Sequence, residues 1–428
     1  MLKLTSLSYY HFTQTNPAKM HLKLGFLSFA LSSLLLIVYG SPVESPSGTS
    51  HHLHARAPAT FQHPGVLVNK AQLDFVKSKV ASRAQPWYDA YTAMLADRLA
   101  SSTRSPTPFQ TVACGSGSEN PSTGCHEERE DALAAYANAL AWYISGSQSY
   151  ATKAISYMNA WARTLKDHTA SNAPLQTGWS GASWARAAEI IRYSNAGWSS
   201  SDIAAFENML RNVYLPKIIG GSNANGNWEL VMMEAAQGIS VFLNDPSSYD
   251  KAMNKFFGRA PAYVYLTSDG SCPKAAPSSG FTSCSQVQGY WQQNTFPENG
   301  IAQETCRDFE HTGMGIASMS HIAETSKIQG SDLWTTDVGT RIRYALGFHS
   351  QFELGAPAPS WLCPGRGIDL KDGKADFEIT EVGYNALNGR LGISMTNTGT
   401  LTQQNRPARG NTLFVGWETL THASNSAF

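Results

Sequence analysis

Apolar residues recur at intervals of three and four through most of the chain between Lys70 and Phe352. This period predicts helices over about Lys70 to Leu99, Glu127 to Ile144, Ser149 to Asp167, Ser183 to Ser194 and Ser200 to Leu215. It predicts others over Trp228 to Leu243, Tyr249 to Leu266, Gln303 to Ile328 and Leu333 to Phe352. In the third of these, Ala154, Tyr157, Met158 and Trp161 share one face. Asp202 and Asp245-Pro246 read as N-terminal caps or turns. Most connections are short, so neighbouring helices are expected to run antiparallel. No fixed sequence repeat accompanies them, which disfavours a solenoid. The expected fold is therefore all-α, an (α/α) toroid or incomplete barrel of antiparallel helix pairs. Two long stretches rich in Gly, Ser, Pro and Asn interrupt the pattern, at 101–125 and 267–302. Loops of that length in a compact domain often carry function. The C-terminal segments DFEITEVGYN, LGISMTNTGT and TLFVGWETLTHA break the helical period. They predict a small C-terminal cap of mixed structure packed on the toroid, with no linker to free it.

The N-terminal region follows different rules. Met20-His-Leu-Lys precedes an apolar run from Leu24 to Tyr39, and Gly40-Ser41-Pro42 supplies small residues after it. Residues 1–40 thus read as a signal peptide whose start is Met20. The competing reading is an uncleaved anchor, but the run is short for a membrane span. Residues 41–60 read as a flexible leader, and one domain is expected over 61–428. His51, His52 and His54 in the leader are better explained as a solvated linker than as metal ligands.

Composition narrows the picture. Hydrophobic residues make up 42% and charged residues 15% of 428, enough for a large core and unlike a disordered chain. The 32 basic residues balance 32 acidic ones, so no cationic excess points to nucleic acid. A polyanion could still bind in a local cationic groove. The 11 Trp and 17 Tyr are many; most are expected in the core, but flat rings also suit stacking on sugar faces. Six cysteines fit an oxidising compartment. Proximity favours Cys114–Cys125 and Cys272–Cys284, which leaves Cys306–Cys363. Neither CxxC nor HExxH occurs, so no metal or other cofactor is expected.

The chemistry concentrates in Gln303-Glu304-Thr305-Cys306-Arg307-Asp308-Phe309-Glu310-His311. On a helix, Gln303, Arg307 and His311 fall one turn apart with Glu304 beside them. Such a polar stripe in a buried helix is costly unless it lines a cavity or completes a network. A purely structural Arg–Glu pair with a hydrogen-bonded His explains it equally well. Asn227, opening the Gly226-Asn227-Trp228-Glu229 helix, is either an N-cap or an amide donor to a ligand carboxylate. Tyr290 and Trp291 end the second long loop, and Arg259, Tyr263 and Tyr265 precede it.

These blocks occur in an order that resembles the alginate-lyase-domain group of polysaccharide lyases. The matching elements are FQHPGVLV near 61, the segment around Trp184 to Ser194, GNWE through VFLND at 226–245, the block at 303–334, and GWETLTH near the end. The resemblance spans about 61–423. It implies a secreted enzyme of toroid fold that cleaves a uronic-acid polymer by β-elimination, acting as a single copy and free of the membrane once the signal is removed. One departure matters: the best-known alginate lyases of this fold carry a His directly after the Asn, whereas Trp228 follows Asn227 here, and the chain resembles instead the branch with an RDxxHT-type helix. The catalytic His is therefore expected at His311. The resemblance implies Asn227, Arg307 and Gln303 as groups that neutralise the sugar carboxylate, and Tyr290 as acid/base, with Tyr263 or Tyr265 as substitutes. His311 would polarise the Tyr or take the proton itself. Glu304, Trp228, Trp291 and Tyr263 are expected to contact substrate, and Glu304 or Glu381 to orient Arg307 or His311. Mannuronan, alginate and glucuronan are the expected polymers. A glycoside hydrolase on an α/α barrel and a non-catalytic polyuronate-binding protein are the rival readings; product analysis and turnover separate them.

Overall fold

The computed structural model describes residues 56–116, 121–371, 377–408 and 410–428. The signal peptide and most of the leader lie outside these residues. Among the described residues no helix is long and apolar enough to cross a membrane. A two-stranded ribbon, β1 (Gly65–Val66) and β2 (Val68–Asn69), leads into α1 (Lys70–Ala81). A reciprocal cap starts that helix: Asn69 and Gln72 each accept the other's backbone N–H. The single helix expected to Leu99 is broken before Pro86, which has no N–H to donate, and α2 (Trp87–Ala96) follows.

The long first loop holds β3 (Thr111–Cys114) and β4 (Ser122–Thr123), which pair with each other and with β5 (Asp167–Thr169) in the order β4-β3-β5. Around them run α3 (Cys125–Ser145), α4 (Gln148–Thr164) and α5 (Ala173–Arg192). Next, α6 (Ser200–Met209) passes through a π turn into α7 (Leu215–Ile218), and α8 (Gly226–Phe242) and α9 (Pro246–Arg259) follow. The second long loop contains α10 (Cys284–Trp291). The remaining helices are α11 (Phe309–Ile328), α12 (Asp337–Glu353), α13 (Thr380–Tyr384), α14 (Thr396–Gln404) and α15 (Glu418–His422). The C-terminal segments are thus short helices joined by irregular chain, with no strand among the described residues.

Burial sorts the helices into two layers. α3, α5, α8 and α11 are buried on nearly every face and pack in that order. α4, α9 and α12 bury one stripe and pack outside them. The inner helices approach closely because small residues face each other. A Cβ on Gly178 would lie 3.1 Å from Val231, and one on Gly181 would lie 3.2 Å from Ala235. Each inner helix is followed by an outer return, so the inner helices run parallel and begin at one rim.

Buried charges tie the layers together. Arg186 of α5 pairs with Glu234 of α8, and His321 of α11 bridges Glu234 (2.9 Å) and Glu418 of α15 (2.6 Å). The ring is fastened by its two ends. His422 Nε2 meets the Leu67 carbonyl at 3.2 Å, and Asn425 donates to the Gln72 carbonyl at 3.2 Å. Satisfied in this way, polar groups can sit inside a helical core without a large penalty. The disulfides are Cys114–Cys125, Cys272–Cys284 and Cys306–Cys363, the pairs that proximity suggested.

Candidate active site

Residues 303–307 are turns, not the first turn of a helix as the spacing suggested. Asp308 is the N-cap of α11; its side chain accepts the His311 N–H at 2.8 Å. The turn segment is held from several sides. Gln303 N–H donates to the Tyr263 carbonyl (2.8 Å) and Phe309 N–H to the Asp369 carbonyl (2.9 Å). Cys306 is crosslinked to Cys363. The common helical stripe therefore does not exist, yet Arg307 and His311 still meet, with Nη2 2.9 Å from Nε2.

Glu304 is the hub. It is fully buried and accepts from Asn227 Nδ2 (2.7 Å to each oxygen), Asn227 N–H (3.1 Å), Tyr263 OH (3.2 Å) and Arg307 Nη1 (2.8 Å). Gln303 accepts from Gly226 N–H at 2.8 Å and donates to the Tyr290 carbonyl at 3.1 Å. Residues 303–307 are thereby docked on the start of α8. Tyr263 props this junction. Its ring lies so close to Gly226 and Gly315 that a Cβ on either would sit 2.2 Å from it. Burial and the neighbouring Glu304 carboxylate push its phenol well above the usual value.

The expected residues therefore divide. Arg307, His311, Tyr290 and Trp228 are partly exposed. Gln303, Glu304, Asn227 and Tyr263 form the layer beneath. Asn227 was expected to meet a sugar carboxylate, but it is 1% exposed and its side-chain N–H groups go to Glu304. Tyr263 and Glu304, expected to touch substrate, are fully buried. Trp291 is not in the groove either: it packs edge-on against Phe296 in the apolar cluster behind α10. Tyr265, a proposed substitute for Tyr290, donates to the Gly270 carbonyl at 2.6 Å and is also buried. Glu381 orients neither Arg307 nor His311; it pairs with Arg406.

The imidazole's tautomer follows from its partners. Arginine can only donate, so Nε2 of His311 must accept from Arg307. Nδ1 then carries the hydrogen and donates to Asp308 (2.7 Å). Asp308, next to His311 and Arg307, is held below the usual carboxylate range despite its burial. The ligand atoms of Asp308, Glu310 and His311 lie within 4.8 Å of one another, close enough to hold a cation, but the Asp308–His311 hydrogen bond already occupies two of them.

Tyr290 stands on α10, which begins with a reciprocal cap between Ser283 and Gln286 and is anchored by Cys272–Cys284. Its hydroxyl donates to the Ala224 carbonyl (2.7 Å) and accepts from Arg259 Nη1 (3.4 Å). Arg259, not Arg307, is the cation beside this phenol. Arg259 is buried and anchored by Glu229 (2.6 Å). Burial pushes Tyr290 up to about 12, with Arg259 opposing. The Arg259–Glu229 pair links residues 30 positions apart, and sequence spacing did not reveal it.

Behind the turn segment, His349 donates from Nδ1 to the Ala345 carbonyl (2.8 Å), and Nε2 accepts from Thr305 (2.9 Å). Burial pushes this imidazole down to about 4. In the unfolded chain it titrates near 6.5, so between these values only the unfolded state is protonated. Stability is therefore full above about 6.5 and falls as pH drops toward 4, by about 3 kcal/mol for this group. His422, also held near 4, adds in the same direction. Urea unfolding at pH 7 and pH 4.5 should show His349→Gln losing less on acidification than the wild type. An equal loss in both would show that His349 does not set this dependence.

An open cavity of about 540 Å³, lined in part by Asn299, Arg343, Tyr344 and Asn397, contains none of these residues. A model of the family described as alginate lyase matches residues 78–358. The fold is similar to that of alginate lyase A1-III from Sphingomonas species A1, with 17% identity, a TM-score of 0.52, and coverage of 85% of this chain and 97% of that one. Two forms of alginate lyase A1-III complexed with tetrasaccharide match over the same shares at 16% identity, with TM-scores of 0.53 and 0.54. No curated protein matches the sequence. The helical ring and the family match over more than half of the chain agree: the chain belongs to the alginate lyase family and is a polysaccharide lyase.

Proposed function

We propose that the protein cleaves a β-linked polyuronate, mannuronan-type alginate or glucuronan, by β-elimination outside the cell. The observation that carries this reading is the pairing of a neutral imidazole with a guanidinium on one wall (His311 and Arg307) and a protonated phenol on α10 (Tyr290). The named substrate of the structurally similar lyases, alginate, supports the substrate class. The three disulfides and the apolar run before residue 40 support export.

The C5 hydrogen of a uronate is weakly acidic until its carboxylate is neutralised. An incoming carboxylate pairs with Arg307, whose hydrogen bond then no longer occupies His311 Nε2. That nitrogen takes the C5 proton, with Asp308 holding the imidazole in orientation. The C5–H electron pair forms the C4–C5 double bond, the C4–O4 bond breaks, and O4 takes the Tyr290 proton. Proton transfer from the imidazolium back to the phenolate, through solvent, resets the site. In β-D-mannuronate and β-D-glucuronate the C5 hydrogen and O4 share one ring face, so both groups work from the same side. Asn227, Glu304 and Gln303 act as positioning residues. A hydrolase would need a free carboxylic acid opposite a second carboxylate; Glu304, Asp308 and Glu229 are each paired with an arginine.

Incubation with polymannuronate, polyguluronate, glucuronan and pectate should give ultraviolet-absorbing 4,5-unsaturated ends from the first or third polymer. Cleavage without unsaturation would replace elimination by hydrolysis, and affinity without turnover would leave only a binding protein.

A further inference from the structure

On the outward face of α12, in the outer layer, a second set of groups lines the cavity of about 540 Å³. The chain at 297–299 and the first turn of α14 complete its wall. Arg343, Gly347 and Gln351 fall one turn apart on this face of α12. The Arg343 guanidinium lies over the Tyr344 ring, 5.2 Å from the centroid, and among the described residues it makes no ion pair. Glu298, the one carboxylate in the wall, is exposed. Asn299 accepts from the Thr267 N–H (2.7 Å) and hydroxyl (3.0 Å), which leaves its amide nitrogen as a donor. No side chain caps α14, so the N–H groups of its first turn face the cavity end without an intrahelical partner.

Two residues of the wall are out of place in a merely structural surface. Thr398 is fully buried, yet its hydroxyl has no partner. Thr400 and Thr402, further along α14, bond back to the carbonyls of Thr396 (3.0 Å) and Thr398 (2.7 Å). Thr398 lies in the first turn, with no helical carbonyl behind it, and a buried hydroxyl left unpaired is costly. Gly347 interrupts α12 with a residue that disfavours helix. Gly178 and Gly181 let helices approach, but a Cβ on Gly347 would meet nothing within 4 Å. Its missing side chain therefore serves no packing and keeps the cavity open.

We infer that this cavity is a separate binding site for a small acidic saccharide, of one or two rings, held by its carboxylate. An unpaired guanidinium, open helix amides and a spare hydroxyl are the donors an oxyanion requires. A bare ion would leave most of the volume empty, whereas about 300–1,000 Å³ is usual for a small-molecule site. Asn299 and Gln351 offer polar contacts to ring hydroxyls, and the buried Phe348 and Met395 offer apolar ones to the ring face. None of the catalytic cluster lines the cavity, so a ligand here stays apart from the bond that breaks. The sugar-acid class rests on the lyase reading; the anion site does not.

Met395 in the wall supplies a local probe. In the whole protein with isotope-labelled methionine methyls, titration with D-glucuronate should shift the Met395 signal, assigned through Met395→Leu, to saturation. Glucose should not shift it. Arg343→Gln should weaken binding about tenfold, the value of one charge-assisted contact. Thr398→Val should weaken it about fivefold, the value of one hydrogen bond, while the thermal midpoint holds or rises because an unpaired hydroxyl is gone. Gly347→Leu should fill the cavity and abolish the shift without lowering the midpoint. All three variants should keep wild-type kcat and KM on the shortest cleavable oligomers. No shift with glucuronate, an equal shift with glucose, or a shift that survives Gly347→Leu overturns the site. A response to sulfate without one to glucuronate would leave an inorganic anion only and overturn the saccharide. If Arg343→Gln unfolds, Thr398→Val and Gly347→Leu decide by the same titration. Failure of the lyase reading is distinct: wild type would yield no unsaturated ends from any polyuronate, whatever the Met395 signal does.

Discussion

Tyr290→Phe is expected to lower kcat on the preferred polyuronate by about 10³-fold, within the range for removing a positioned proton donor. The phenol is held above neutral pH by burial, to about 12, so it carries its proton when substrate arrives. Nearby phenols cannot stand in for it. Tyr263 is sealed beneath Glu304, and Tyr265 is committed to the Gly270 carbonyl. The substitution removes hydrogen bonds to Ala224 and Arg259 worth about 1 kcal/mol each, so the fold should survive. The rate of appearance of unsaturated ends, with the unfolding midpoint alongside, is the measurement. Activity within tenfold of wild type would show that O4 takes its proton from another group.

The second large effect is expected at Glu304, where Glu304→Gln should cost both stability and rate. The carboxylate receives donors from Asn227, Tyr263 and Arg307 and gives none. An amide of the same shape turns one acceptor into a donor that faces other donors, and it takes from the partly buried Arg307 guanidinium its closer carboxylate partner, leaving Asp308 at 3.8 Å. Breaking a buried pair in this way costs about 3–5 kcal/mol. Arg307 would lose the anchor that aims it, so kcat should fall by at least about 10²-fold. Urea unfolding and steady-state kinetics on one preparation check both halves. Wild-type behaviour in both would mean that Glu304 does not organise the cluster.

Much of this architecture can be read from the chain because the inner and outer helices keep a clear apolar period. What escaped was set by contacts outside that period. The start of α5 was hidden by Pro174, Gly178 and Gly181, residues that look like breakers and instead let helices approach. α10 lies in a stretch dominated by Ser, Gly and Pro, and only the Ser283–Gln286 spacing of a reciprocal cap could have announced it. The site residues were found as a group because they crowd one segment. Their depths were not legible: which of Asn227, Glu304 and Arg307 reaches the groove depends on how residues 303–308 dock onto α8. The Arg259 partner of Tyr290 and the small sheet β4-β3-β5 likewise depend on contacts between distant segments.

The seam between Leu67–Gln72 and His422–Asn425 joins residues 353 and 355 positions apart. Helix hairpins along the chain can assemble from near neighbours, whereas this clasp needs almost the whole chain in place. Entropy does not forbid so late a fastening, since each doubling of the enclosed span adds only about 0.6 kcal/mol. The topology thus lets neighbouring helices pair before the two ends meet, and the clasp then fixes their spacing.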